Sequence, residues 1–370
     1  MTPPETSWEA AHSPSADRST KESVPARVNE SSLSTNAPSE TEELGERLLV
    51  FDSHEAWVYQ LHCLGLPMDI VVGLGGRSKA GWDEAMRPVP PNSRLLRPVD
   101  LEPAREPYRC MLAHNLTDLL DMKNLAGPRL LVLHETLDGT ILEQKSTIPA
   151  DKLRSAVMKY TQMTGTQIVA VSEMKAKSWG LGGDVVNFSA AIDDYLAWRG
   201  DLQRGLRISN HILRRPNVLR WDFHQAAFGD LPVTLVGHNP EMQGVKPAAD
   251  WMDLKKILSL HRFYIHTADP RFEDGFNMAM LEAMAAGLPV LGNRHPTSPI
   301  VNGVNGFLSD DPAELRGYAL RLLADRELAL QLGAGARETV RRQFSPERFA
   351  EGFLASLQAA TAKWNSRSQS

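Results

Sequence analysis

The chain has 370 residues, of which 42% are hydrophobic and 23% charged, a composition typical of folded globular proteins. Its formal net charge of −5 argues against the basic surface with which proteins usually bind nucleic acid. No apolar run approaches the ~20 residues that a membrane-spanning helix needs, and the N-terminus lacks the apolar region of a secretory signal. The two cysteines, Cys63 and Cys110, form neither a metal-ligand cluster nor a disulfide framework. We therefore expect a reduced, cytoplasmic enzyme, and the length predicts two folded domains.

Residues 1–46 form a segment of different composition. They are rich in Ser, Thr, Pro and Glu and contain almost no aliphatic clusters. Such a segment buries too little apolar surface to offset the entropy lost on ordering. It is predicted to be a disordered tail.

From residue 47 onward, short apolar strands alternate with helical segments in two successive series. Strands alternating with helices indicate parallel sheets covered by helices, so we predict two Rossmann-like α/β domains, 47–198 and 199–345, and a C-terminal helix and tail, 346–370, that packs back towards the first domain. The first series reads RLLVF (strand), HEAWVYQLHCLG (helix), MDIVVGL (strand), a Pro-rich loop, YRCMLAH and RLLVLHE (strands), PADKLRSAVMKYTQMTG (helix) and TQIVAVSE (strand), and DVVNFSA ends it. The second reads GLRISN, LRWDFHQAAFG, LPVTLVGHN, WMDLKKILSLH, RFYIHTA, RFEDGFNMAMLEAMAAGL and PVLGN, followed by the amphipathic helices AELRGYALRLLADRELALQLGAGARETVRRQF and SPERFAEGFLASLQAA. Ligands of such sheets bind beyond the carboxyl ends of the strands.

The helix within RFEDGFNMAMLEAMAAGL carries a carboxylate, Glu282, in an otherwise apolar run, and a second acid, Asp274, lies just before it. Gly287 and Pro289 predict where the helix ends. The two acids are eight residues apart, which on a helix corresponds to about 12 Å and ~80° of rotation, so both can face one elongated ligand. A buried carboxylate needs hydrogen-bond donors, which sugar or ribose hydroxyls would supply. The residues alone leave two alternatives open: an internal bond from Glu282 to an Arg or a backbone amide, and a plain N-cap role for Asp274.

Two blocks at a characteristic spacing, DGFNMAMLEAMAAGLPVLGN and IVNGVNGFL, resemble the donor-binding region of family 4 retaining glycosyltransferases. The resemblance implies the GT-B fold, in which two Rossmann-like domains face a central cleft. It places Asp274 at the position of a family glutamate that contacts the donor sugar. It places Glu282 where the ribose hydroxyls of the nucleotide are held. The turn formed by Gly275, Phe276 and Asn277, where Asn277 replaces the usual Gly, is expected to hold the diphosphate and sugar.

Weaker matches to the same family give further site residues. LVLHET is similar to the strand that brings a histidine, here His134, to the transferring sugar; the alternative is a capping or core histidine. RISNHILRRP aligns Asn210 with a family Arg and Arg215 with a family Lys near the donor diphosphate, and Arg214 offers a second cation there, a solvated basic turn being the alternative. LVGHNPE resembles the loop against which the base packs, and HPTSP replaces a Gly-rich phosphate loop. From these two loops we take Gly237, Asn239, Thr297 and Ser298 as donor-binding residues.

The resemblance implies a retaining transferase that moves a sugar from a nucleotide-sugar donor to an acceptor hydroxyl without a metal or another cofactor. The acceptor, whether a glycan, a lipid-linked sugar or a small molecule, is not indicated. The basic residues of KLRSAVMKY could face a membrane surface and make the protein peripheral, or simply be solvated. The alternative function is a degenerate GT-B protein that binds a nucleotide sugar or a partner without catalysis.

Overall fold

The computed structural model describes residues 44–75, 81–101 and 107–368. The predicted disordered tail therefore lies outside the described residues, apart from its last residues, Leu44–Glu46, which form a short 3-10 turn. Two parallel sheets follow, of seven and five strands.

The first sheet has the strand order β3-β2-β1-β4-β5-β6-β7, and every neighbouring pair is parallel. One of its edge strands was not predicted: residues of the Pro-rich loop form β3, which pairs with β2 in register. This edge strand is half exposed and lacks the apolar run that marks a buried strand. The strands are β1 (Leu48–Phe51), β2 (Met68–Val71), β3 (Ser93–Leu96), β4 (Cys110–Ala113), β5 (Arg129–Leu133), β6 (Gln167–Ala170) and β7 (Asp184–Val185).

Short helices follow most of these strands, and several begin with a side-chain cap. Asn115, Thr136 and Ser172 each accept a hydrogen bond from the backbone N–H three residues on, which satisfies one of the free amides of the first turn. The first predicted helix, ending at Gly65, is an α-helix continued by a 3-10 turn. The helices are α1 (Glu55–Gln60), α2 (Leu116–Asp121), α3 (Leu137–Glu143), α4 (Ala150–Thr164) and α5 (Glu173–Trp179).

The second sheet has the order β12-β11-β10-β8-β9 and is also parallel. Its strands are β8 (Leu202–Ile208), β9 (Val233–Val236), β10 (His261–His266), β11 (Val290–Gly292) and β12 (Gly306–Leu308). Its helices are α6 (Trp221–Phe228), α7 (Trp251–Leu260), α8 (Met278–Ala286), α9 (Pro312–Ala324) and α10 (Arg326–Gln343). The prediction of one long helix over residues 313–344 was wrong. Asp325 is extended and caps α10 by accepting a hydrogen bond from the Leu328 N–H at 2.9 Å, so the chain turns between α9 and α10.

The last helix, α11 (Pro346–Ser368), leaves the second sheet and packs against β5 and β6 of the first. Its Phe349 and Phe353 lie edge-on to Trp57 of α1, with ring centroids 6.4 and 5.9 Å apart. Aromatic pairs at these separations stabilise contacts beyond the area they bury. Among the described residues, no helix is both long and apolar enough to cross a membrane.

Candidate functional site

The loops that follow strands of the two sheets contact each other where the sequence predicts a cleft, and this contact region is called the cleft below. Helix α8 of the second domain contributes Glu282 to it. The Asn277 side chain caps this helix by accepting a hydrogen bond from the Met280 N–H at 2.9 Å. Gly287 ends it in the left-handed conformation at φ +93°, as the sequence predicts. Every residue from 280 to 286 is buried, because α8 lies between β10, α7 and α10. Glu282 is 6% exposed within this apolar surface.

The partner of Glu282 comes from the other domain. Its carboxylate forms an ion pair with Arg87, which lies in the loop between β2 and β3 and is 3% exposed. Burial, and then the charge of the same carboxylate, raise the pKa of Tyr195 well above its ordinary value. The Arg87 guanidinium also lies 4.8 Å from the centroid of the Trp251 ring at the start of α7. The sequence left Glu282 with either a ligand contact or an internal bond, and the structure shows the internal bond to an arginine.

Asp274 is fully buried, and its cation also comes from the first domain. The Lys175 ammonium on α5 lies 3.1 Å from the Asp274 carboxylate and 3.0 Å from that of Glu273. Burial would raise the pKa of Glu273, but the Lys175 charge and the Asp274 backbone N–H hold it below its ordinary value. Burial would likewise lower the pKa of Lys175, and the two carboxylates keep it above 10.5. Asp274 does not cap α8, since Asn277 has that role.

The turn after Asp274 lies directly against the 295–298 loop that follows β11. The Gly275 N–H donates to Thr297 Oγ1 at 2.8 Å. A Cβ on Gly275 would lie 2.7 Å from the Ser298 nitrogen, closer than real side chains approach, so this contact requires glycine. Three predicted site residues are therefore brought together here. The Phe276 side chain points instead into the core, against Phe188 and Phe344.

A third ion pair crosses the cleft between Arg215 and Glu143, the last residue of α3. Beside it, burial and the Glu143 charge raise the pKa of Glu135 to about 7, although Arg215 and Lys175 oppose the shift. Thr136 adds a neutral contact by donating from its hydroxyl to the Phe272 carbonyl at 3.1 Å. Three predicted donor-binding residues in the cleft carry a charge: Asp274, Glu282 and Arg215. Each is paired with a first-domain side chain of opposite charge.

Three predicted site residues, Asn210, Gly237 and Asn239, lie where the loops after β8 and β9 contact each other. Asn210 Oδ1 accepts a hydrogen bond from the His238 N–H at 2.8 Å, and Asn239 Oδ1 accepts one from the Ile212 N–H at 2.8 Å. Gly237 lies at φ +136°, and a Cβ there would be 2.3 Å from the Ser209 carbonyl oxygen. These residues fix the loops after β8 and β9 to each other. Arg214 is exposed and pairs with Glu241 at the surface.

His134 follows β5 on the first-domain side of the cleft. Its Nε2 lies 2.8 Å from Nδ1 of His114, which follows β4, and both rings lie edge-on to Trp57 at 4.9–5.0 Å. Burial, then His114, Lys175 and His54, lower the pKa of His134 well below its ordinary value, so the ring is neutral at pH 7. Because Nε2 of His134 contacts His114, Nδ1 is the nitrogen of the His134 ring that a ligand could contact.

The sequence analysis named Asp274 and Glu282 but not the cations that pair with them, Lys175 and Arg87. Lys175 lies at the predicted carboxyl edge of β6, three residues after Ser172, which was the available signal. Arg87 lies in the Pro-rich loop, 195 residues from Glu282, and no local pattern indicates it. Among the residues that the structure describes, no three His, Cys, Asp or Glu side chains are grouped so that they could hold a metal ion.

Comparison with known proteins identifies the second domain. Residues 218–325 match the family Glycosyl transferases group 1. The fold is that of Anabaena HepE, solved in complex with UDP and glucose, with a TM-score of 0.62 at 13% identity over 84% of this chain and 99% of HepE. Sucrose-phosphate synthase from Thermosynechococcus elongatus gives 0.59 at 14% identity over 86% of this chain and 99% of that one.

The chain has the GT-B fold. The predicted fold class is confirmed, and the resemblance to glycosyl transferases of group 1 is confirmed within residues 218–325. Two curated relatives align with the GT-B protein over short segments: the N-acetyl-alpha-D-glucosaminyl L-malate synthase of Bacillus anthracis, 38% identical over 80 residues, and the trehalose synthase of Pyrococcus horikoshii, 36% identical over 83 residues. These segments cover 20% and 22% of the GT-B protein and 21% and 20% of the relatives, so the chain spans about a fifth of each curated relative.

Proposed function

We propose that this GT-B protein is a retaining glycosyltransferase that moves a sugar from a nucleotide-sugar donor to an acceptor hydroxyl. The observation that carries the proposal is the placement of Asp274 and Glu282 on the cleft side of a group 1 domain, eight residues apart and buried. HepE has been solved with UDP-glucose and the TarM structure with UDP, which supports a nucleotide sugar as donor.

Each side chain then has a role that its surroundings support. Glu282 holds the ribose hydroxyls, and Asp274 with the Gly275 turn holds the sugar. Arg215 stabilises the negative charge that develops on the leaving diphosphate, as preorganised cations do in a water-poor site. His134, being neutral, orients the transferring sugar through a hydrogen bond rather than through charge. No metal ligand is needed in this scheme.

Donor binding in this scheme requires rearrangement at the cleft. The donor would contact Asp274, Glu282 and Arg215. Each of these already forms an ion pair with the first domain, through Lys175, Arg87 and Glu143 respectively. Loops or domains of transferases commonly open and close around their substrates. We therefore infer that these pairs hold the two domains together and that the donor displaces them when it binds.

The same pairs favour a second candidate, a GT-B protein that binds a nucleotide sugar or a partner without transfer. Charged side chains satisfied within the protein have less to gain from a substrate, and Asp274 is one methylene shorter than the family glutamate. The two candidates differ in turnover and agree in donor binding.

The test begins with a thermal-shift screen against UDP-, GDP- and dTDP-sugars to identify the donor. Wild type, Glu282→Gln, Asp274→Asn and the control Glu338→Gln, an exposed residue on α10, are then compared by calorimetry and by release of radiolabel from the donor. We expect Glu282→Gln to weaken donor binding at least tenfold, Asp274→Asn to reduce turnover with smaller effects on affinity, and the control to match wild type. Wild-type turnover with unchanged affinity in Glu282→Gln would refute the assignment. Binding without release of the sugar in wild type would favour the second candidate, and NMR of the product anomer tests retention.

A further inference from the structure

The Arg87 side chain is held by three contacts, and its backbone by a fourth. Its Nη2 donates to Glu282, and its Nη1 donates to the Met86 carbonyl at 2.6 Å. The guanidinium lies over the Trp251 ring, on which the Lys255 ammonium also lies at 3.7 Å from the centroid. The Trp82 indole fixes the backbone by donating to the Arg87 carbonyl at 2.7 Å. A first-domain guanidinium therefore occupies the carboxylate at which the proposed donor would place its ribose.

Replacement of Arg87 by a ribose at Glu282 would leave the buried Arg87 charge without its carboxylate. Ribose hydroxyls are neutral, so a donor that takes Glu282 replaces a buried ion pair by neutral hydrogen bonds and leaves the Arg87 charge behind. A buried cation without an anion is unfavourable, which would oppose such an exchange. The exchange is balanced only if the incoming molecule also carries an anion that Arg87 can reach.

A nucleotide sugar carries that anion next to the ribose. We propose that Arg87 is a ligand of the donor diphosphate and that it exchanges its contact with Glu282 for the diphosphate when the donor binds. This inference rests on the proposed function. One sugar ring separates the ribose hydroxyls from the diphosphate, a span that rotation of a long arginine side chain covers, and the guanidinium matches phosphate oxygens in bidentate fashion. Arg87 would thus be a first-domain contributor to donor binding, so that donor binding and the contact between domains depend on the same side chain.

The experiment compares two ligands that differ only in the diphosphate. For the base found in the screen, dissociation constants of the nucleoside and of the nucleoside diphosphate are measured for wild type, Arg87→Gln, Arg87→Lys and Arg97→Gln. The last is a matched control, an exposed arginine of the same region paired with Asp100. Exposed pairs of this kind contribute little, so its constants should equal those of wild type.

We expect Arg87→Gln to weaken diphosphate binding at least tenfold and to strengthen nucleoside binding, since the nucleoside no longer has an ion pair to break. Arg87→Lys should fall between wild type and Arg87→Gln for the diphosphate. If Arg87→Gln tightens both ligands equally, Arg87 only blocks the site and the inference is overturned. Unchanged constants for both ligands would overturn it as well.

Loss of Arg87 leaves Glu282 buried without its cation, so Arg87→Gln itself could be unstable. The same comparison is therefore repeated between Glu282→Gln and the double variant Glu282→Gln/Arg87→Gln, where neither a lone carboxylate nor an ion pair is present. The double variant should bind the diphosphate at least tenfold more weakly than Glu282→Gln. Failure of wild type to bind any nucleoside diphosphate would overturn the proposed function together with this inference, whereas binding by wild type that is insensitive to Arg87 overturns this inference alone.

Discussion

Replacement of Lys175 by methionine tests whether the cleft is held together by charge. The side chain is about 3% exposed and lies 3.0 and 3.1 Å from two carboxylates of the other domain. Methionine keeps the length and apolar contacts of the lysine stem but leaves Glu273 and Asp274 side by side and buried without a cation. At an effective dielectric constant near 20, each contact corresponds to about 5 kcal/mol of attraction, partly offset by the cost of burying the lysine charge. Breaking a buried pair from one side costs about 3–5 kcal/mol, and we expect that loss at pH 7.5.

The loss should depend on pH with a definite sign. Lys175 holds the pKa of Glu273 below its ordinary value of 4.5, so its stabilisation is present above that pH and disappears as the pH falls through the lowered value. The difference between wild type and Lys175→Met should therefore shrink as the pH is lowered from 5 towards 3. Lys177→Met is the matched control, because Lys177 lies on the same helix, is 79% exposed and lies 3.9 Å from Glu173. It should cost no more than about 0.5 kcal/mol.

Urea unfolding followed by tryptophan fluorescence and far-UV circular dichroism measures both quantities. The triple variant Lys175→Met/Glu273→Gln/Asp274→Asn should recover most of the lost stability, since replacing all charges of a buried cluster is close to neutral. A loss below about 1 kcal/mol for Lys175→Met at pH 7.5, or an equal loss at pH 7.5 and pH 3, would refute the reasoning.

Two further predictions concern the same cleft. Because burial and Glu143 raise the pKa of Glu135 to about 7, the folded state holds an extra proton between pH 4.5 and 7, so its stability falls by up to about 3 kcal/mol as pH rises through that window. Glu135→Gln should remove this pH dependence of the free energy of unfolding, as measured by urea unfolding at pH 5 and pH 8. The same change between the two pH values in wild type and in Glu135→Gln would contradict the assignment. Asn277→Ala should destabilise the protein by about 1 kcal/mol through loss of the α8 cap, whereas Asn277→Gly, which restores the family residue, should cost only a few tenths. A cost near zero for Asn277→Ala in thermal unfolding would show that the cap contributes nothing.

Local patterns were reliable wherever one element buries its own residues. The apolar run with Gly287 and Pro289 behind it correctly predicted α8, and the alternation of strands and helices correctly predicted two parallel sheets. These signals succeed because burial of a helix face or a central strand requires a particular residue spacing. β3 was not predicted because this edge strand is half exposed and so lacks the apolar run of a buried strand. Its Arg94 is bound instead by Asp69 of the neighbouring strand. The break between α9 and α10 depended on one cap, Asp325, inside a continuous amphipathic pattern.

By itself the sequence determined that an apolar helix carries one carboxylate, Glu282, with a second acid, Asp274, just before it, and the two-block resemblance indicated which family has such a helix. Only the tertiary structure decided what those acids contact: Glu282 meets Arg87, and Asp274 meets Lys175, through chain separations of 195 and 99 residues. The physical reason is that periodicity records how each segment packs against its own sheet. Which cation pairs with a buried carboxylate depends on how the two domains pack together. The spacing of residues along the chain does not show that packing.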